Sequence, residues 1–365
     1  MRALALTALL ASLSLVVGCG STPIEEWEPS TSALWRGPTE EVAQRCLDAR
    51  IALERGERSA ARAALDAVLA EAPDNLTARF LDQEYELTEP GADAAELLAE
   101  ARAVAAAQGR STLDALLAAR LETDQDAARL LLEGALASEL PADLEAACRY
   151  ALAYVQLQLG NTSAANDELA RSLALDPGAQ RARRLEARLA RGDRDLRPAR
   201  AMLDYWLDEA ELSPVISSDM WYGALLELAE LELALDEPGD AEDVLERFAE
   251  GRGEGRFRSP SDRRLAISEL LWAAILADDG EADEALERVE RARGLVSPAS
   301  RTGRLVLIDK ALLNELYLSR ELDAIAAWEA VLERFDGATG VDTDELLRAL
   351  EARVRLARLR AAQPR

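Results

Sequence analysis

Ala and Leu recur at helical spacing along most of this chain, with Glu, Asp and Arg filling the positions between them. Apolar residues three and four apart lie on one face of a helix, so the pattern predicts a series of amphipathic helices. Strands are offered little, because Val, Ile, Thr and aromatic residues are sparse. Two stretches, 209–218 and 251–262, read as loops inserted between helices, and Ser297-Pro298, flanked by Gly294 and Gly303, reads as a turn. From Thr343 to about Ala362 the pattern is one Arg-rich amphipathic helix.

The helical pattern repeats. In residues 52–75 and again in 154–179, a Gly is followed by Ala five residues on, by a large apolar residue four later and by Pro eight further. The members are Gly56, Ala61, Leu65 and Pro73, then Gly160, Ala165, Leu169 and Pro177. Anchoring on the small residue extends the series to Ala61, Ala94, Ala128, Ala165, Ala201, Ala241, Ala285 and Ala324. The residue four later is large and apolar each time: Leu65, Leu98, Leu132, Leu169, Tyr205, Leu245, Val289 and Trp328. Seven after the anchor stand Val68, Ala101, Ala135, Ser172, Asp208, Phe248, Ala292 and Val331, with Asp208 the misfit.

This arrangement resembles the tetratricopeptide repeat (TPR), in which a small residue in the second helix lets paired helices approach and Pro closes the unit. The resemblance covers about 42–340 and implies an all-α fold, a right-handed α-solenoid of TPR-like helix-turn-helix repeats with a C-terminal capping helix. The domain expectation is therefore a repeat array over 41–342, about six to eight repeats, and the capping helix over 343–365. A helical array of another kind is the structural alternative.

Composition narrows the chemistry. The 365 residues contain no His and a single lysine, Lys310. Triads that use His, His-based zinc sites and a Walker A loop are thereby excluded. Three scattered cysteines form no CxxC pair. Gly251-Arg252-Gly253-Glu254-Gly255 lacks the Lys and Ser/Thr of a phosphate loop, and the acidic runs at Asp278 and Asp342 lack calcium-loop spacing. No catalytic residue, metal site or cofactor is assigned. With 68 acidic against 42 basic residues, the net charge of −26 disfavours nucleic acid.

The first residues, MRALALTALLASLSLVVGC, place one Arg before an uncharged run that ends at Val17-Gly18-Cys19. They read as a signal peptide and resemble the lipobox of bacterial lipoproteins, with Val17 bulkier than the usual small residue. The resemblance implies a signal peptide over 1–18 and acylation of Cys19 by palmitate-type chains. It further implies a cell-envelope location, the outer membrane facing the periplasm in a Gram-negative cell, since Gly20 and no Asp follows. Residues 19–40, rich in Pro, Ser, Thr and Glu, read as a tether.

In TPR arrays the first helix of each repeat lines a concave groove for protein partners. The anchor register puts Arg50, Arg79, Gln83, Glu86, Arg120, Tyr150, Tyr154 and Arg183 on that side. Arg can grip a carboxylate bidentately and Tyr adds area with a polar tip, so an acidic or C-terminal peptide is one expected ligand. Solvated helix face or packing between repeats is the competing reading. Eight Arg crowd residues 181–200, suited to an anionic surface or to carboxylates on the next helix. Tyr205-Trp206 and Trp221-Tyr222 bracket the 209–218 loop, and Cys46 with Cys148 reads as two buried thiols. The function expected is a lipid-anchored, non-catalytic scaffold for envelope proteins. A lipid or glycan carrier with an apolar groove is the alternative, and a carboxylate-based glycan hydrolase is a more remote one.

Overall fold

Seventeen α-helices and one π-helical turn run through the described residues, with no strand among them. The computed structural model describes residues 39–88, 93–107, 112–190, 196–212, 216, 218–251, 259–298, 300–336 and 343–362. The expected signal peptide, Cys19 and nearly all of the tether lie outside them, as do residues 252–258 of the second inserted loop. The chain divides at Trp221/Tyr222 into two compact units.

The first unit contains α1 (Glu40–Glu54), α2 (Arg58–Glu71), α3 (Leu76–Leu87), α4 (Ala94–Ala107), α5 (Thr112–Leu121) and α6 (Gln125–Leu136). It continues with α7 (Ala142–Gln158), α8 (Thr162–Leu175), α9 (Gln180–Ala190), α10 (Arg197–Leu212) and the start of α11 (Ser218–Ala234). Consecutive helices pack as hairpins from α1 to α3 and from α4 to α10, and odd-numbered helices also touch one another, α1 on α3, α3 on α5 and α5 on α7. The second unit takes the rest of α11, then α12 (Pro238–Gly251), α13 (Asp262–Asp279), α14 (Ala282–Leu295) and α15 (Arg301–Leu312). A π turn (Leu313–Tyr317), α16 (Glu321–Asp336) and α17 (Thr343–Ala362) complete it.

The anchor pattern explains the packing. Ala61, Leu65 and Val68 on α2 are wholly buried, and so are their counterparts Ala241, Leu245 and Phe248 on α12. Ala285, Val289 and Ala292 on α14, and Ala324, Trp328 and Val331 on α16, follow suit. Each buried Leu contributes about 1.5–3 kcal/mol, while the Ala beside it keeps the paired helices close. In five repeats a left-handed residue stands five positions before the anchor Ala: Gly56, Gly160, Asp236, Gly280 and Ser319. At the first four, the next amide donates to the carbonyl five residues back, as in Glu57 N to Ala52 O at 2.8 Å and Glu281 N to Leu276 O at 2.8 Å. This is the Schellman closure of a helix C-terminus. At Ser319 the bond from Arg320 N reaches Asn314 O, six residues back, because the π turn adds a residue to the preceding helix.

Two expectations are corrected. On α10 the buried set is Ala199, Leu203, Trp206, Leu207 and Ala210, whereas Tyr205 is exposed. The repeat is therefore anchored at Ala199, two residues before Ala201, and Asp208 faces solvent instead of the core. The predicted loop 209–218 is also shorter than expected, since α10 continues to Leu212 and α11 opens at Ser218.

The last helix is fixed through the π turn. Glu315 accepts Trp328 Nε1 at 2.9 Å and Arg355 Nη1 at 3.3 Å, while the Arg355 guanidinium lies 5.8 Å from the Trp328 ring. Ala349, Ala352 and Leu356 form the buried face of α17.

Candidate functional site

The first helices of successive repeats in the amino-terminal unit are stitched together at separations close to one repeat. Arg50 Nη1 on α1 donates to both carboxylate oxygens of Glu84 on α3, at 2.9 and 3.0 Å. Arg79 Nη2 on α3 lies 3.4 Å from Asp114 Oδ1 on α5, and Gln83 Nε2 donates to Leu117 O at 3.1 Å. Arg120 Nη1 returns the link, reaching Gln83 Oε1 at 2.9 Å and Phe80 O at 3.2 Å, with its guanidinium 4.8 Å from the Phe80 ring. Burial lowers the Arg120 pKa to about 10, because its charged form has lost water.

The eight groove candidates therefore separate. Arg50, Gln83, Arg120 and Tyr154 are buried, and the first three tie α1, α3 and α5 together. Arg79 is about one-third exposed, Tyr150 is half-buried, and Glu86 and Arg183 are exposed. Arg183 Nε donates to Pro177 O at 2.9 Å. The pKa of Glu86 is raised, first by partial burial and then by the Asp82 carboxylate. Of the eight, the side chains that stay at least partly at the surface are therefore Arg79, Glu86, Tyr150 and Arg183.

Sequence reasoning did not isolate a cleft beside Tyr150. Arg181, Arg184 and Arg188, at helical spacing on α9, line it with Leu185 and Met220. Its volume of about 20 Å³ admits one water-sized group. The Arg184 guanidinium sits 5.7 Å from the Trp206 ring, which is itself buried. The density of Arg in 181–200 was the visible signal, but only the α7–α9 packing puts Tyr150 against it. Of the two aromatic pairs, Tyr205 alone is exposed; Tyr222 packs edge-on to Phe248, ring centroids 4.9 Å apart.

Cys46 and Cys148 are free, buried thiols, raised by burial to about 11 and about 12 respectively. No group of His, Cys, Asp and Glu suited to a metal ion occurs among the described residues, and no described helix is long and apolar enough to cross a membrane.

This geometry defines an all-α protein built from TPR-like helix hairpins. No family model matches the chain, and no curated protein matches it. Among solved structures it is similar to a Rap protein complexed with competence and sporulation factor. The identity is 16%, the match covers 88% of this chain and 98% of that one, and the TM-score is 0.51. A tetratricopeptide repeat protein from Parabacteroides merdae is 15% identical over 74% of this chain and 99% of its own, with a TM-score of 0.46.

Proposed function

We propose that this protein is a lipid-anchored, non-catalytic scaffold that binds envelope proteins through the first-helix face of its repeats. The observation that carries the reading is the stitching of α1, α3 and α5 at one-repeat separations. It makes a continuous surface whose shape is set before any partner arrives, so little ordering entropy is lost on binding. Arg79, Tyr150 and Arg183 supply the recognition chemistry, favouring a carboxylate-bearing peptide segment. Acylation at Cys19 would confine the array to a membrane and raise its effective concentration for neighbours. The Rap protein of similar fold was solved in complex with competence and sporulation factor, which supports a binding role for a fold of this kind.

Mild in-cell cross-linking and mass spectrometry of the tagged full chain tests the scaffold. One or two envelope proteins at near-stoichiometric yield, lost in Arg79→Ala/Arg183→Ala, are expected. Absence of any protein partner overturns the reading. The anchor is tested separately by Cys19→Ser, which should abolish incorporation of labelled palmitate and move the chain out of the membrane fraction. Unchanged labelling would refute acylation at that residue.

A further inference from the structure

A second cavity lies away from the first-helix face, between the second helices α4 and α6 with α5 as its floor. Its volume is about 390 Å³, within the range of small-molecule sites. It exists because small residues stand where large ones would close the gap: Ala115 on α5, and Ala127, Gly134 and Ala135 on α6. Leu130 and Leu131 complete an apolar wall, and Leu130 is 61% exposed.

One ionic group is set into this apolar wall. The Glu122 side chain is only 3% exposed. Its Oε1 accepts the Asp124 amide at 3.2 Å, and its Oε2 takes the guanidinium of Arg102 from α4. Arg102 is half exposed, at 51%. The two partners are thus unequal. Removing the cation from a buried carboxylate is costly, whereas returning a half-exposed guanidinium to water costs little. A ligand that brings its own cation can take Arg102's place at Glu122 and keep the site neutral. A ligand that brings an anion puts like charges together in an apolar cavity.

We propose that this pocket binds a small apolar cation, a compact hydrocarbon body carrying one protonated amine, with the amine displacing Arg102 from Glu122. The chain's net charge of −26 favours the same sign of ligand at long range. The site is independent of the scaffold reading, since it uses none of the first-helix surface residues.

The test uses the full chain in nanodiscs and three probes of one shape: 1-adamantylamine, 1-adamantanol and adamantane-1-carboxylate. Calorimetric titration should show the amine binding about tenfold or more tighter than the carboxylate, with the alcohol between them. Gly134→Phe fills the cavity at a position where Phe is a better helix former than Gly, and should abolish binding of all three while helicity is retained. Glu122→Gln should reduce the amine's advantage over the alcohol to about onefold. Should Glu122→Gln fail to fold, Arg102→Ala serves instead, because removing the competing cation should tighten amine binding several-fold. No binding of any probe, equal or tighter binding of the carboxylate, or amine binding unaltered by Gly134→Phe would each overturn the proposal.

Discussion

Arg50 and Glu84 stand 34 residues apart and meet through one guanidinium nitrogen held between both carboxylate oxygens, at 2.9 and 3.0 Å. Gln83 and Leu117 are joined at the same separation. Polar side chains on the first helices thus record the repeat period as faithfully as the apolar anchors on the second helices do. Their arrangement also explains why two cations tolerate burial: Arg50 faces a carboxylate, and Arg120 spends its donors on a carbonyl and an amide oxygen.

Because the Arg50 side chain is 3% exposed and that of Glu84 is 28% exposed, loss of the carboxylate is felt mostly by the arginine. Glu84→Gln is expected to lower unfolding free energy by about 1–3 kcal/mol, below the range for a fully buried pair. The exposed Arg129–Glu133 pair on α6 gives the contrast, and Glu133→Gln should change stability by less than about 0.5 kcal/mol. Urea unfolding of both variants, with salt dependence confined to the second, checks the difference.

The corrected register of α10 has its own signature. Leu203 is 2% exposed and Tyr205 is 57% exposed. Leu203→Ala should cost about 2–5 kcal/mol, whereas Tyr205→Ala should cost less than about 1 kcal/mol. The reverse order in chemical denaturation would restore Ala201 as the anchor.

Much of this architecture was legible because one structural demand recurs at a fixed spacing. Ala, a large apolar residue and a third apolar residue at intervals of four and three are what a second helix needs to approach its partner. The series holds at α2, α12, α14 and α16. It slipped at α10 because Ala199 and Ala201 are both alanines followed four later by a large residue. Only the third position separates them, and Trp206 fits there where Asp208 does not. The turn signal was half visible: Gly marks the left-handed position in three repeats, but Asp236 and Ser319 occupy it in two others. The site was less legible. Helical spacing assigns a residue to the first-helix side, yet burial depends on the neighbouring repeat, so Arg50 and Arg79 look alike in sequence and differ in exposure. The cavity over Glu122 left no pattern, since the small residues that open it, Ala115, Ala127, Gly134 and Ala135, do not stand out in an alanine-rich chain.

Gly303 and Gly294 flank the same turn and should respond oppositely to alanine. A Cβ at Gly303 would fall 2.0 Å from the Ser297 carbonyl oxygen and 2.8 Å from the Pro298 Cα, both backbone atoms of that turn. The turn is held by Ser300, whose hydroxyl donates to Ser297 O at 2.6 Å and accepts from Gly303 N at 3.0 Å. Gly303→Ala is therefore expected to cost about 1–3 kcal/mol through overpacking. At Gly294, inside α14, a Cβ meets nothing within 4 Å, and Gly294→Ala should stabilise by about 0.5–1 kcal/mol. Thermal unfolding of the two variants against the parent decides it.

The buried thiols predict a specific failure at alkaline pH. Burial raises Cys148 from the ordinary 9.0 to about 12, and Cys46 from the same value to about 11. Above pH 9 the unfolded chain releases these protons while the folded chain retains them, so unfolding is accompanied by proton release and stability falls as pH rises. Each thiol should add a slope of about 1.4 kcal/mol per pH unit between the unfolded and folded values. The informative quantity is the difference between parent and Cys148→Ala. At pH 7–8 the variant should be less stable through its lost sulfur packing. That deficit should shrink steadily from pH 9 to 11, because the variant no longer holds the proton that the parent must surrender on unfolding. Denaturation midpoints that stay parallel across this window would mean that Cys148 ionises in the folded chain as it does in water.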